Sequence, residues 1–402
     1  MSLYHRDEMT TLYLGDALEV LREMRTSSVD CVVTSPPYWG LRDYGVPGQY
    51  GHEVTPERYV ETLRTVFAEV RRVLTPDGTC WLNLGDTYLD KSLVGVPWLV
   101  AHALGRDGWL RRNAVVWYKT NAMPSSAADR LSSRYELIFL LTRSKRYWFD
   151  LDAIRKPYTG DRSASRRSRS GRTTKSTSIA SPWSAQTNLA ADGTRHSAAH
   201  PAGGNPGDLW EQANQPFAQA HFAVMATAIA ERCIRAGCPP RRCRTCGTAP
   251  TRTKGAAVLD LSRTQARRAQ ALAEAAGLTE DHITAIRAVG ITDSGKAAKS
   301  QTGTGKNADE VQRLAAEAKA VLGGYFREYL LARPRSTGWS DCGHDDYRRA
   351  VVLDPFSGSG TTGLAAHRHG RAYIGIDLNS DYLDLSLRTR LRHGELDLDA
   401  AS

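Results

Sequence analysis

The sequence predicts an α/β fold with a doubly wound, mixed sheet, and three observations carry that prediction. Short apolar runs of strand length alternate with longer stretches of helical spacing, the pattern of successive βαβ steps. Two of the runs end in loops of unusual composition, Thr34-Ser35-Pro36-Pro37-Tyr38-Trp39 and Asp354-Pro355-Phe356-Ser357-Gly358-Ser359-Gly360-Thr361-Thr362. An acid, Asp377, ends a further strand about 20 residues beyond that glycine loop, a spacing at which a carboxylate can reach ribose hydroxyls.

The 402 residues leave room for one large domain with insertions or for two domains. The formal charge of +10 favours a polyanionic partner. No run approaches the roughly 18 apolar residues that span a bilayer, and the polar start, residues 1–11, is no signal peptide, so no membrane partner is expected. Seven cysteines, an odd number in a long chain, argue against a disulfide scaffold and for a reducing, cytoplasmic setting.

In chain order, residues 11–14 form a short strand ending at Gly15-Asp16, and residues 17–24 continue with helical spacing. Residues 29–33 read as a buried parallel strand. Pro36 and Pro37 end it abruptly, because neither can donate a ladder hydrogen bond. The Ser35 hydroxyl, the Pro36 carbonyl and the Tyr38 ring are then presented together at a strand's carboxyl end, where open α/β sheets bind ligands. Residues 40–51 are a loop whose Arg42 and Tyr44 are either DNA contacts or solvated side chains. Thr55-Pro56-Glu57 opens a helix with Tyr59, Leu63, Val66, Phe67, Val70 and Val73 on its core face. Pro76-Asp77-Gly78 is a turn, and residues 79–86 are the next strand. Residues 91–104 are helical, with Pro97 demanding a kink or a late start. Strands at 113–119 and 135–141 follow, separated by a polar loop; Lys119, Asn121, Arg130 and Arg134 suit phosphate contact.

From Tyr158 the composition changes. Arg162, Arg166, Arg167, Arg169, Arg172 and Lys175 stand among Ser, Gly and Thr with no apolar period, which reads as a flexible basic loop through about Asn205. Order returns at residues 206–210, and residues 221–236 have helical spacing with His221, Phe222 and Met225 near their start. Cys243-Arg244-Thr245-Cys246 is a thiolate knuckle, and Cys342 with His344 would complete four ligands for a tetrahedral structural Zn2+ closing the base of an insertion. Cys233 and Cys238 could substitute, and free cytosolic cysteines are the alternative. Inside the insertion, residues 259–276, 280–289 and 308–331 are helical, with a polar stretch at 292–307. Arg263, Arg267, Arg268, Lys296, Lys299 and Lys306 make it either a DNA-facing module or a solvated accessory hairpin. The resulting division is 1–157, the basic loop 158–205, a return to the core at 206–238, the inserted module 239–346, and 347–402.

Both loop motifs resemble those of the DNA amino-methyltransferases: Ser-Pro-Pro-Tyr at residues 35–38, and Asp-Pro-Phe-x-Gly-Ser-Gly-Thr-Thr at residues 354–362. Their order corresponds to the circularly permuted β group, and the serine form with Trp39 resembles the N4-cytosine members. The resemblance implies a Rossmann-like class I methyltransferase fold with S-adenosylmethionine as cofactor and duplex DNA as partner. It further implies a cognate restriction endonuclease where the enzyme belongs to a restriction–modification pair, and a cytoplasmic, nucleoid-associated location. Ser35, Pro36, Pro37 and Tyr38 are the expected catalytic set. Asp354, Pro355, Phe356, Gly358, Ser359, Gly360, Thr361, Thr362 and Asp377 are expected on the cofactor, with Asp16 either beside its adenine or merely a helix cap. The interval 158–205 holds target recognition by family order. No cysteine nucleophile lies in the Ser35 motif, which disfavours C5-cytosine chemistry. Adenine N6 is the alternative acceptor, and a DNA-binding protein on an inactive transferase fold is the alternative of another class.

Overall fold

The computed structural model describes residues 2–41, 43, 45–157, 203–215, 225–261, 263–290 and 309–391. The chain divides into two compact units. The first comprises Met1–Ile154, Asn205–Thr251 and Trp339–Ser402, and the second Arg155–Gly204 and Arg252–Gly338.

The first unit is built on a mixed sheet. Its strands are β1 (Ser2–Arg6), β2 (Thr10–Leu14), β3 (Val29–Thr34), β4 (Leu74–Leu84), β5 (Leu110–Tyr118), β6 (Tyr135–Thr142), β7 (Leu209–Glu211), β8 (Val351–Asp354) and β9 (Ala372–Asp377). Across the sheet they run β1-β2-β9-β8-β3-β4-β6-β5-β7. The block β2-β9-β8-β3-β4 is parallel, and β6 lies antiparallel between β4 and β5. Helices α1 (Ala17–Glu23), α2 (Pro56–Val73) and α3 (Val96–Arg106) pack one face through Val20, Leu21, Leu63, Phe67, Val100 and Leu104. The other face is covered by α4 (Thr227–Gly237), α5 (Thr361–Arg368) and α6 (Ser380–Ser386) through Ile229, Ile234, Ala365, Ala366 and Leu383. That is the doubly wound arrangement expected. The order reverses between β3 and β8, which come from opposite parts of the chain, and such a switch point opens a crevice at the strands' carboxyl ends.

Local chemistry explains several boundaries. Thr55 caps α2 by accepting from the Arg58 amide at 3.3 Å, with Pro56 in the first turn. The helix expected from residue 91 starts late, at Val96. Asp86 accepts from the Gly95 and Val96 amides at 3.0 Å each, Gly95 is left-handed at φ 79°, and Pro97 sits in the first turn, where its missing N–H costs nothing. The turn expected at Pro76-Asp77-Gly78 is absorbed into β4, whose ladder with β3 is irregular there.

A buried charge cluster anchors the amino ends of β3 and β8. Asp30 is fully buried and accepts from Arg348 Nη1 at 2.6 Å, from the Val351 amide at 2.8 Å and from Arg242 Nε. Arg242 and Arg348 face each other in a short antiparallel pair, Arg241–Cys243 with Tyr347–Arg349.

In the second unit, Thr264–Ala275, Glu280–Val289 and Asp309–Leu322 enclose a small core of Ala269, Ala273, Ile283, Ile286, Ala318, Leu322 and Tyr329. The single helix expected over 308–331 is two, because Gly323–Tyr325 forms a 3-10 turn before Phe326–Leu331; Gly323 has φ 53°. Arg252–Val258 and Arg333–Trp339 pair as a ribbon. Arg263 is paired with Glu328 at 2.8 Å, Arg267 bonds the Leu261 carbonyl and Thr264, and Arg268 lies over the Tyr325 ring, so these three arginines are engaged internally. Lys296, Lys299 and Lys306 lie outside the described residues, as do the arginines of the basic loop and Lys175.

Candidate active site

The loops after β3 and β8 line one cavity. Its wall includes Ser35, Pro36, Pro37 and Tyr38 from the first and Asp354, Pro355, Phe356, Ser357, Gly358, Ser359, Thr361 and Thr362 from the second. Asp377, at the end of β9, lines it too. Gly15 and Ala17 also contribute, whereas the Asp16 carboxylate caps α1 through the Glu19 amide at 3.0 Å and accepts from Tyr50 at 2.7 Å. Gly360 serves packing: it is left-handed at φ 76°, and a Cβ there would stand 2.8 Å from Ser386.

The glycine loop lines the cavity and is tied to the end of β9. Gly358 is left-handed at φ 50°, and its amide donates to Asp377 Oδ2 at 2.7 Å while the Asn379 amide donates to Oδ1 at 2.9 Å. Burial raises the Asp377 carboxyl to about 6 despite these donors. Arg390 reaches in from behind, bonding Ser359 Oγ at 3.0 Å and Thr361 Oγ1, and burial lowers it to about 10. Asp354 is buried beneath the loop and accepts from Thr34 Oγ1 at 2.7 Å, Thr362 Oγ1 at 2.8 Å and the Phe356 amide at 3.1 Å. Burial pushes it to about 7. A proton on Oδ2 has a place to go, since Thr362 Oγ1 also lies 3.2 Å from the Val33 carbonyl and can pass its own hydrogen there.

On the other side the Ser35 motif joins a network that the sequence did not disclose. Ser35 Oγ lies 3.1 Å from the Tyr38 hydroxyl, which lies 2.8 Å from Glu136 Oε2. Asn83 Nδ2 is 2.8 Å from both the Tyr38 hydroxyl and Glu136 Oε2. Lys119 bonds Glu136 Oε1 and stands over the Trp117 ring. Burial, then the Glu136 charge, hold the Tyr38 phenol well above its ordinary range. Gly85 makes room for the Tyr38 ring, since a Cβ there would come within 2.6 Å of it. Tyr59 donates to the Pro37 carbonyl at 2.8 Å and steadies the turn.

Lys119 serves this network instead of standing free for phosphate; Asn121 is bonded to Asn214, and Arg130 and Arg134 lie over the Tyr88 and Tyr118 rings. Met225 lines the cavity, while His221, Phe222, Arg42 and Tyr44 are outside the described residues.

The Cys243, Cys246, Cys342 and His344 ligand atoms all lie within 4.8 Å of one another. Tetrahedral Zn2+ with bonds of about 2.0–2.3 Å requires ligand separations under about 4 Å, so the donor set fits with small adjustments. This cluster sits beside the Arg242–Arg348 pair, at the strands' amino ends and away from the cavity.

A doubly wound sheet of this order, with an antiparallel strand between β4 and β5 and a glycine loop after β8, defines a class I methyltransferase fold. Residues 29–261 and 347–388 match the family described as DNA methylase (N6_N4_Mtase), and the chain belongs to that family of DNA amino-methyltransferases. It is 36% identical over 260 residues to the Type II methyltransferase M.XycI of Xanthomonas campestris pv. cyanopsidis, covering 58% of this chain and 73% of that one. With the Type II methyltransferase M.Cfr9I of Citrobacter freundii the identity is 35% over 259 residues, covering 57% and 73%. The solved PvuII DNA methyltransferase (cytosine-N4-specific) shares the fold at TM-score 0.50 and 16% identity, over 97% of this chain and 88% of that one.

Proposed function

We propose that this DNA methylase transfers a methyl group from S-adenosylmethionine to the exocyclic N4 of a cytosine flipped out of duplex DNA. The observation that carries the reading is that the Ser35-Pro36-Pro37-Tyr38 turn and the Asp354–Thr362 loop line one cavity. The Asp377 carboxylate would hold the cofactor's ribose, with the backbone of Gly358 and Ser359 alongside. When bound, S-adenosylmethionine supplies a methyl group made electrophilic by its sulfonium. The chain's task is then mainly positioning. Ser35 Oγ and the Pro36 carbonyl accept the two amine protons and so orient the nitrogen lone pair, while Tyr38 offers its ring to the base. Flipping costs a few kcal/mol, which stacking and these hydrogen bonds offset.

The Type II relatives support a place in a restriction–modification pair, with a cognate endonuclease as partner and a cytoplasmic location. No described helix is long and apolar enough to cross a membrane. Cys243, Cys246, Cys342 and His344 would hold a structural Zn2+. Nucleoside mass spectrometry on DNA incubated with the protein and S-adenosylmethionine tests the proposal. N4-methylcytosine is the expected product; N6-methyladenine would replace the base assignment, and no methylated nucleoside in the presence of bound cofactor would overturn the catalytic reading.

A further inference from the structure

We infer that Glu136, held by Lys119, fixes the hydrogen-bond polarity of the substrate pocket, so that Ser35 can accept from the base but not donate to it. The inference rests on the amine-methylation reading and adds positioning residues to it.

The argument follows from which groups can donate. Glu136 ionised beside the Lys119 ammonium is an acceptor only, and Asn83 Nδ2 is a donor only. The Tyr38 hydroxyl lies 2.8 Å from both. It therefore spends its single hydrogen on Glu136 and offers only lone pairs to Asn83. The two amide hydrogens of Asn83 face Glu136, Tyr38 and, at 3.5 Å, Ser35 Oγ, another lone pair of which accepts. That leaves it only an acceptor toward Ser35 Oγ, 3.1 Å away, so the Ser35 hydrogen points to Tyr38. What Ser35 retains for a ligand is a lone pair. The Asn83 amide cannot be turned over, because its oxygen would then face the Glu136 carboxylate. The orientation has a cost, for Asn83 Oδ1 is buried with no partner among the described residues. An amine at the base position satisfies this pocket, whereas the carbonyl oxygen of uracil or thymine would meet a lone pair with a lone pair.

Replacing Glu136 by glutamine reverses the chain when Asn83 cannot compensate. The glutamine oxygen stays toward Lys119, so its NH2 faces Tyr38, which then donates to Ser35, and Ser35 donates to the ligand. Asn83→Leu supplies the background and its own control. The site methylated by the wild-type protein is mapped first, and duplexes carrying cytosine or uracil at that position are compared for binding, with S-adenosylmethionine affinity measured in parallel. Wild type and N83L should prefer cytosine. In N83L/E136Q the preference for cytosine should fall by roughly 10- to 100-fold toward parity, because the Pro36 carbonyl still favours the amine, with cofactor affinity unchanged. An unchanged preference in a folded, cofactor-binding double variant overturns the inference. Tyr38→Phe is the second route: it cuts the chain without altering charge, keeps an aromatic ring, and should move the preference about tenfold toward parity. An unchanged preference in Y38F overturns it equally. If the wild-type protein methylates no exocyclic amine, it is the underlying functional reading that fails.

Discussion

Asp354 shows how one residue ties stability to pH. Its carboxyl is held near 7, against about 4 in an unfolded chain, because burial outweighs the three groups that donate to it. Between those values the folded protein keeps a proton that the unfolded chain releases. Its contribution is therefore fully present below about pH 4 and is lost as pH rises through about 7. Denaturant melts of wild type and Asp354→Asn, without cofactor, should show the wild type losing ground to the variant from pH 4.5 to pH 8; parallel curves would contradict the assignment. The same scale explains what could be read from sequence. Ser35, Asp354 and Asp377 lie in loops or at strand ends, where composition announces them. Glu136 and Asn83 each sit within an apolar run, Tyr135-Glu136-Leu137-Ile138 and Trp81-Leu82-Asn83-Leu84. Their only signal is a lone polar residue inside a buried strand, and nothing in the order of residues places the two strands side by side.

Among the elements, α4 and β4 approach each other closely at Gly237. Thr79 Oγ1 donates to the Gly237 carbonyl at 2.9 Å, and a Cβ on Gly237 would collide with Thr79 Oγ1 and Trp81 Nε1. Gly237→Ala should destabilise the protein by about 1–3 kcal/mol through overpacking. A thermal melt would register it, while cofactor affinity of the folded variant should not change. Elements with a strong period or a firm cap, such as α2 and β3, were legible. β7 is Leu209–Glu211, too short to show a period, and β1 is a largely polar edge strand defined by its pairing with β2. The break at Gly323-Gly324 escaped because helical spacing continues on both sides of it, charged and alanine-rich before and aromatic and leucine-rich after.

For the whole molecule, the cluster of three cysteines and one histidine is the feature with the widest reach. Elemental analysis should find about one zinc per chain, and chelation should lower the melting temperature, since binding to a folded site is folding free energy. Cofactor affinity of the molecules that remain folded should be unchanged, because the cluster lies at the opposite end of the strands from the cavity. A metal-free preparation melting at the same temperature would refute the assignment. The doubly wound sheet was legible because its signals are local; the four-ligand cluster was legible from residue type alone, although it joins residues nearly a hundred positions apart. Just beyond it, the Thr251 amide donates to Ser340 Oγ at 2.9 Å and the Ser340 amide to the Thr251 carbonyl at 2.8 Å. The chain thus leaves the first unit and re-enters it through a doorway two hydrogen bonds wide. Everything between is, to the sheet, a detour whose length matters little, since the entropy of closing a loop grows only slowly with its size. Insertions, deletions or wholesale exchange of that stretch could accumulate over generations without displacing either of the loops that meet in the cavity.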